Sequence, residues 1–235
     1  DYGDCFYAAI PWNNLPLGKK IFIGWMVPRK QETYPWKGQM SIARDLSLRT
    51  TTSGIRLYQE PTALIKNNLA KLSGQDPIEL KNIEVDGPEN NFLQGKEIHG
   101  NSYWLEADLV VAPNANAGFN IACKKGQDNK IINGATIGYD AAKHELYIDR
   151  ANPGNSKIEG DKARLTAIVN EINGKIKLEI LLDKSSLEVF VNDGEKVFTT
   201  YIFPDETADV LSAFSTAGKS LITSLEIWNL SKIKQ

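Results

Sequence analysis

The sequence has few of the residues that build metal sites and disulfide-stabilised folds. It has two cysteines, Cys5 and Cys123, and neither has a neighbouring His or Cys at the spacing of a zinc site. We therefore expect no metal, no other cofactor and two buried free thiols, with a disulfide as the less favoured alternative. His99 and His144 are isolated, and we expect solvated or turn histidines rather than bases or ligands.

Long apolar runs and an excess of positive charge are also lacking. No stretch approaches the roughly 20 apolar residues that span a bilayer. Lys and Arg number 27 against 29 for Asp and Glu, which gives a net charge of -2. A nucleic-acid-binding protein needs a basic face that neutralises phosphates, so this class is disfavoured. The composition predicts no membrane span and no nucleic-acid partner.

The sequence shows neither an N-terminal signal nor the signature motifs of other enzyme classes. No glycine-rich phosphate loop follows a strand, and no Gly-x-Ser-x-Gly elbow is present. The chain begins at Asp1 without an initiator Met, a basic region or an apolar signal core. We expect that an export signal has been removed or precedes this sequence, and that an upstream segment is missing.

Short apolar runs with two-residue alternation recur along the 235 residues. Each such run places one set of side chains in a core and the other toward solvent, which is typical of β-strands. Turn-forming residues at 140–144, 173–174 and 192–194 separate several runs, as antiparallel hairpins require. The pattern predicts an all-β antiparallel sandwich with strands over residues 20–26, 103–111, 175–182, 186–191, 197–203 and 221–228.

Two segments depart from this pattern. Residues 62–72 are as compatible with a short helix as with an irregular segment, because two central asparagines lower the helix propensity. The polar residues 49–54 are interpreted as a linker between an aromatic-rich piece, residues 1–50, and the sandwich, residues 51–235. A piece of about 50 residues is too small to be stable alone, so we expect it to pack on the sandwich or on another chain.

The aromatic side chains of the first piece are more informative than its carboxylates. Asp1, Asp4, Glu32 and Asp45 lie in no motif that assigns a reactive role, and Asp1 and Asp4 are expected to be turn or strand-end residues. Trp36 has Pro before it and Gly two places after it, which predicts a loop or a strand end. Because sugars stack their flat C–H faces on indole rings, Trp36 is a candidate sugar contact, with a core Trp as the equal alternative.

Residues 1–9, 23–26 and 34–46 resemble, in this order, the last part of the five-bladed propeller of glycoside hydrolase family 32. This family contains invertases, inulinases and levanases. Residues 136–140, 145–150, 182–194 and 224–228 resemble the C-terminal β-sandwich of the same family, also in order. The resemblance covers nearly the whole chain. It implies an all-β fold in which a C-terminal antiparallel sandwich follows the last strands of a five-bladed β-propeller.

The resemblance implies retaining hydrolysis of β-fructosides through a covalent fructosyl-enzyme, with an Asp nucleophile and a Glu acid/base from earlier blades. The family motifs Trp-x-Asn-Asp-Pro, Arg-Asp-Pro and Glu-Cys have no counterpart here, so we expect no catalytic residue in this chain and no hydrolysis by it alone. Trp36 corresponds to the family's indole that lines the fructose pocket, and Tyr7 and Asp4 are expected near the same rim. Where the family usually has Asp before Phe-Tyr-Ala, this chain has Cys5.

Two roles remain open for the sandwich. It is either a buttress for the propeller, which we favour, or an independent fructan-binding module. Binding would require an exposed aromatic residue, and the sandwich indoles Trp104 and Trp228 lie in alternating strands that predict core positions. The expected partners are fructan or sucrose and the upstream propeller segment of the same protein. The expected location is extracellular or periplasmic.

Overall fold

The computed structural model describes residues 1–28, 35–93, 98, 101–127, 131–132, 134–150, 163–205 and 207–231. This part of the chain is dominated by antiparallel strands, so the predicted all-β class is confirmed. Two short helices occur within it, and neither is long and apolar enough to cross a membrane.

The first five strands form one antiparallel sheet, here called the N-terminal sheet. Its order is β1-β2-β4-β5, and β3 pairs with the end of β2. A short 3-10 turn, Pro16–Gly18, precedes β2. The strands are β1 Phe6–Pro11, β2 Ile21–Met26, β3 Gln39–Met40, β4 Arg44–Thr51 and β5 Gly54–Pro61.

The interpretation of residues 49–54 as a linker is wrong. These residues form the tip of the β4–β5 hairpin, in which Thr51 pairs with Gly54. The Thr51 hydroxyl donates to the Gly54 carbonyl at 2.7 Å, and Gly54 has a φ of 97°, which glycine adopts readily. Polar threonines suit this hairpin tip because it is solvated. Their β-branched side chains also favour a strand over a flexible linker.

The segment after β5 is helical but interrupted. Helix α1 spans Ala63–Lys66 and helix α2 spans Leu69–Ser73. They are separated at Asn67 and Asn68, and the Asn68 amide donates back to the Leu64 carbonyl at 2.7 Å. Asparagine side chains compete for backbone groups in this way, which explains the break at the two residues that lower the helix propensity.

The remaining strands form one hydrogen-bonded path that bends into two facing sheets. Strand β16 pairs with β8 through Thr216, and from Leu221 onward it pairs with β7. Strand β6 follows β16 through the same bend, where the register shifts between Ser215 and Ser220. The strands are β6 Ile78–Asn90, β7 Ser102–Val110, β8 Asn116–Lys125, β9 Ile131–Ile132, β10 Ala135–Asp140, β11 Glu145–Asp149, β12 Arg164–Ile168, β13 Ile176–Asp183, β14 Ser186–Val191, β15 Lys196–Tyr201 and β16 Val210–Asn229.

One apolar cluster fills the space between the two sheets of this sandwich. It contains Ile137 and Leu146 from the sheet with order β12-β11-β10-β8, and Leu178 and Leu182 from the sheet with order β7-β13-β14-β15. We call the second of these the inner sheet, because its β15 edge contacts the N-terminal sheet. The alternation in the sequence therefore matches the core face of strands such as β13, whose Ile176, Leu178, Ile180 and Leu182 are all buried.

The chain start fastens the N-terminal sheet to the inner sheet. The Tyr2 amide donates to the Val197 carbonyl at 2.7 Å, and the Cys5 amide contacts the Thr199 carbonyl at 3.4 Å. Residues 2–5 therefore run beside β15 and satisfy backbone groups along its edge. The expected packing of the first piece on the sandwich is confirmed.

Candidate substrate-binding rim

Trp36 lies in the turn of residues 35–38 that leads into β3, and 67% of the residue is exposed. The core alternative is therefore wrong. The turn is anchored by Trp25, whose indole N–H donates to the Lys37 carbonyl at 3.0 Å. Gly38 closes the turn at a φ of 81° and sits against the β2 backbone. This arrangement presents a broad apolar ring on a fixed turn, which suits stacking against a sugar.

Tyr7 lies beside this turn. It pairs with Trp25 across β1 and β2, and the two rings meet edge to face with centroids 6.3 Å apart. More than half of Tyr7 is exposed. Trp25 thus contacts the Tyr7 ring and also the turn that carries Trp36, the latter at the Lys37 carbonyl. Trp25 lies in residues 23–26, one of the segments that resemble the family, but it was not among the predicted rim residues.

Asp4 lies in a buried ion pair with the sandwich. Its carboxylate is 3.0 Å from an Arg150 guanidinium nitrogen and accepts the Thr200 hydroxyl at 2.6 Å. The Arg150 side chain is fully buried and that of Asp4 is 7% exposed. These contacts favour a structural role for Asp4, and its assignment to the substrate rim stays a prediction.

The other described carboxylates of the N-terminal sheet also have structural partners. Asp1 bonds Arg44 at 2.8 Å, and Asp45 accepts the backbone N–H of Ala63 at 3.0 Å. Glu60 pairs with Arg49 on the β4–β5 hairpin. Glu32 lies outside the described residues. The described carboxylates of this sheet are thus engaged in holding the fold together.

Arg44 is the centre of the polar contact between the N-terminal sheet and the inner sheet. Its guanidinium lies 2.9 Å from the Glu188 carboxylate, bonds the Thr199 hydroxyl, and stacks 4.2 Å from the centroid of the Phe6 ring. Burial raises the pKa of Glu188 and lowers that of Arg44, although their mutual attraction opposes both changes. Desolvation is therefore the larger effect at this contact.

The cysteines and the described histidine have no role at the rim. Cys5 and Cys123 are buried free thiols, as expected. His144 lies in the turn between β10 and β11 with a φ of 49°, and its ring nitrogen is 3.3 Å from the Tyr139 hydroxyl. His99 lies outside the described residues. Within the part of the chain that the structure describes, no group of three His, Cys, Asp or Glu could hold a metal ion.

Two family models match this chain in succession. The model described as the N-terminal domain of glycosyl hydrolases family 32 matches residues 1–61, and that of the family's C-terminal domain matches residues 68–229. A levanase of Bacillus subtilis is 32% identical over 99% of this chain and 34% of its own length. The extracellular exo-inulinase of Aspergillus awamori is 28% identical over 98% of this chain and 42% of its own length.

The crystal structure of the Aspergillus awamori exo-inulinase superposes on this fold with a TM-score of 0.84 at 26% identity. The superposition covers the whole of this chain and 44% of that enzyme. The chain thus spans between a third and a half of the length of these relatives. Both regions of the fold, the N-terminal sheet and the sandwich, are included in the match.

Proposed function

This chain belongs to glycosyl hydrolase family 32, and we propose that it is the C-terminal part of a retaining β-fructofuranosidase that hydrolyses fructans or sucrose. The observation that carries this proposal is the exposed indole of Trp36, on a turn whose Lys37 carbonyl is bonded by Trp25, together with the exposed Tyr7 ring that packs on Trp25. Rings in this arrangement can line one side of a furanose pocket.

The nucleophile and the acid/base belong, in this proposal, to residues upstream of Asp1. A retaining glycosidase needs two carboxyl groups roughly 5 Å apart on either side of the scissile bond. Asp1, Asp4, Asp45 and Glu60 are instead engaged with arginines or a backbone N–H, which leaves them poorly suited to that task. The chain alone is therefore inactive, and its partners are the upstream propeller segment and the fructan or sucrose substrate.

The sandwich acts as a buttress in this proposal. It contributes Glu188 and Arg150 to buried ion pairs with the N-terminal region, and β15 receives the chain start.

A division of the chain into two domains at residue 50 stays a prediction. The pairing of β4 with β5 through Pro61 favours a boundary after Pro61, so that the whole N-terminal sheet belongs to the propeller. The name of the Aspergillus awamori relative supports an extracellular location.

A fructan-binding sandwich is the second candidate, and its two indoles argue against it. Trp104 is buried on the outer side of the inner sheet, where its indole N–H donates to Glu106 at 3.1 Å. Trp228 pairs with Trp104 across β16 and β7 and is half-buried. Isothermal titration of this chain with levan, inulin and sucrose tests the binding module directly. If the sandwich is only a buttress, we expect no heat of binding with any of the three sugars.

A chimera tests the enzyme proposal. The part of the Bacillus subtilis levanase that precedes its match to this chain is fused to Asp1, and fructose release from levan, inulin and sucrose is assayed. We expect hydrolysis, and a roughly tenfold loss of kcat/KM for Trp36→Ala because a ring contact with the sugar is removed. Trp12→Ala is the matched control, since Trp12 is also an exposed indole of the N-terminal region. A cooperatively folded chimera that releases no fructose would contradict the proposal.

A further inference from the structure

Tyr201 of the sandwich reaches the turn that carries Trp36 through one backbone atom. It is the last residue of β15, and its hydroxyl donates to the Met26 carbonyl at 2.6 Å. The backbone N–H of Gln39 is close enough to the same hydroxyl to lower its pKa slightly. Met26 and Gln39 are paired residues of β2 and β3. The hydroxyl therefore holds β2 at the residue that pairs with the start of β3, directly after the turn.

The turn also lies against the same carbonyl. A Cβ atom added to Gly38 would lie 2.3 Å from the Met26 oxygen and 2.6 Å from the Trp25 indole nitrogen. Such distances are shorter than any van der Waals contact, so the backbone of the turn approaches β2 as closely as glycine permits. The Met26 carbonyl oxygen thus accepts the Tyr201 hydroxyl and also lies against the backbone of the Trp36 turn.

The surroundings of Tyr201 keep its hydroxyl protonated, so that it can donate a hydrogen bond. The residue is 1% exposed, packs with Cys5 and Met26, and stacks on Phe203 with ring centroids 5.9 Å apart. Burial, followed by the neighbouring Cys5, raises the pKa of Tyr201 to about 12. The phenol therefore stays protonated at physiological pH, and removing it would leave a buried carbonyl without this bond.

We propose that Tyr201 is a positioning residue that lets the sandwich set the position of Trp36, through the Met26 carbonyl and the turn anchored by Trp25. The link from Tyr201 to the turn stands on these contacts alone. Its consequence for sugar binding rests on the proposed function. The sandwich then acts on the rim itself as well as supporting the propeller.

Solvent exchange of the Trp25 indole N–H, measured by 15N NMR on this chain, reports on the turn because this N–H is bonded to Lys37. We expect Tyr201→Phe to speed this exchange about two- to tenfold, the effect of losing one hydrogen bond. Gly38→Ala, which displaces the turn from its other side, should speed it as well. The indole N–H of Trp104, bonded to Glu106, should be unchanged in both variants.

Tyr139→Phe is the matched control. Tyr139 is equally buried, its hydroxyl also contacts a backbone carbonyl, that of Val169 at 3.2 Å, and its pKa is also raised to about 12 by burial. It lies in β10, on the sheet away from the N-terminal sheet. If Tyr139→Phe speeds the Trp25 exchange as much as Tyr201→Phe, the effect is general loosening and the proposal is overturned. An unchanged exchange rate in Tyr201→Phe overturns it too.

The catalytic consequence is read separately in the levanase chimera. Because a stacking contact binds substrate and transition state alike, Tyr201→Phe should raise KM several-fold while kcat is retained. An unaltered KM in an active chimera overturns the consequence for sugar binding. An inactive chimera counts against the proposed function and leaves the exchange measurement to decide the link between Tyr201 and the turn.

Discussion

Arg44 of β4 and Glu188 of β14 form an ion pair of 2.9 Å although 144 residues separate them. Both side chains are almost fully buried, and the Glu188 carboxylate also accepts the Ile42 backbone N–H at 2.6 Å. Burial of this kind carries a desolvation cost that the attraction barely offsets. The pair therefore fixes the orientation of the N-terminal sheet on the sandwich more than it adds net stability.

Replacing Arg44 with Met should lower the free energy of unfolding by about 3–5 kcal/mol, because Glu188 and Asp1 are left as buried charges without their partner. Denaturant unfolding of the two chains measures this difference. Lys219→Met is the control, since Lys219 pairs with Glu84 where both side chains are mostly exposed. That variant should lose far less, because solvent screens an exposed pair. Equal losses in both variants would contradict the role given to Arg44.

Asp4→Asn separates the structural role of this residue from a role at the substrate rim. Because Arg150 is fully buried, loss of the Asp4 charge should lower the free energy of unfolding by about 3 kcal/mol. Asp205→Asn, at a partly exposed pair with Lys124, should cost far less. If Asp4→Asn keeps the stability and instead weakens fructose release by the chimera, Asp4 belongs to the rim.

The sequence was sufficient to predict what depends on neighbouring residues. The hairpin between β14 and β15 followed from its Asn-Asp-Gly turn, in which Asn192, Asp193 and Gly194 all have positive φ. Strand β13 followed from alternation alone, and its inward residues are buried. The order of the motifs identified the family and the all-β class. These features are encoded by period and turn chemistry, which a single sequence displays.

Features that depend on distant residues could not be predicted in this way. Strand β16 continues for 20 residues through a bend. It can do so because β6 pairs along one edge, while β8 and then β7 pair along the other. Nothing near Arg44 or Tyr201 in the sequence shows that Glu188 or Met26 will lie against it. Trp104 was expected in the core, and it is buried on the opposite face of its strand from the apolar cluster. Tertiary contacts decide each of these positions.

A row of like charges crosses strands β6, β16, β7 and β13 and makes stability depend on pH. Glu79, Glu226, Glu106 and Glu179 occupy directly opposite positions on four successive strands. Burial, followed by Glu106 and Glu79, raises the pKa of Glu226 above 4.5. The native state therefore binds more protons than the unfolded state between the ordinary and the raised pKa of Glu226, and the free energy of unfolding falls as the pH rises through this range.

Glu226→Gln should remove this contribution. At pH 7 the variant should be more stable by about 0.5 kcal/mol, a modest gain because Glu226 is exposed and screened by solvent. The gain should shrink toward pH 4 and in high salt. Denaturant unfolding between pH 4 and 8 measures it. Glu84→Gln, which removes the partner of Lys219, should show no gain at pH 7. A gain that is the same at every pH would exclude repulsion as its cause.

Gly194 and Gly174 form a matched pair that isolates the contact between the N-terminal sheet and the β14–β15 hairpin. Both glycines follow Asn or Asp in a turn and have φ values of 78° and 72°. A Cβ at Gly174 would meet open space, whereas one at Gly194 would lie 2.1 Å from the Gln59 carbonyl oxygen. The Gln59 N–H also donates to the Gly194 carbonyl at 3.0 Å, so β5 lies directly on this turn.

Gly174→Ala should therefore cost about 1 kcal/mol, the strain of placing alanine at positive φ. Gly194→Ala carries the same strain and must also displace β5, so its cost should be larger by about 1–3 kcal/mol. Denaturant unfolding of both variants gives the difference, and faster hydrogen exchange at the Gln59 amide in Gly194→Ala alone would locate it. Equal costs in the two variants would mean that β5 moves freely away from the turn, and the close docking of the two sheets would then contribute nothing to stability.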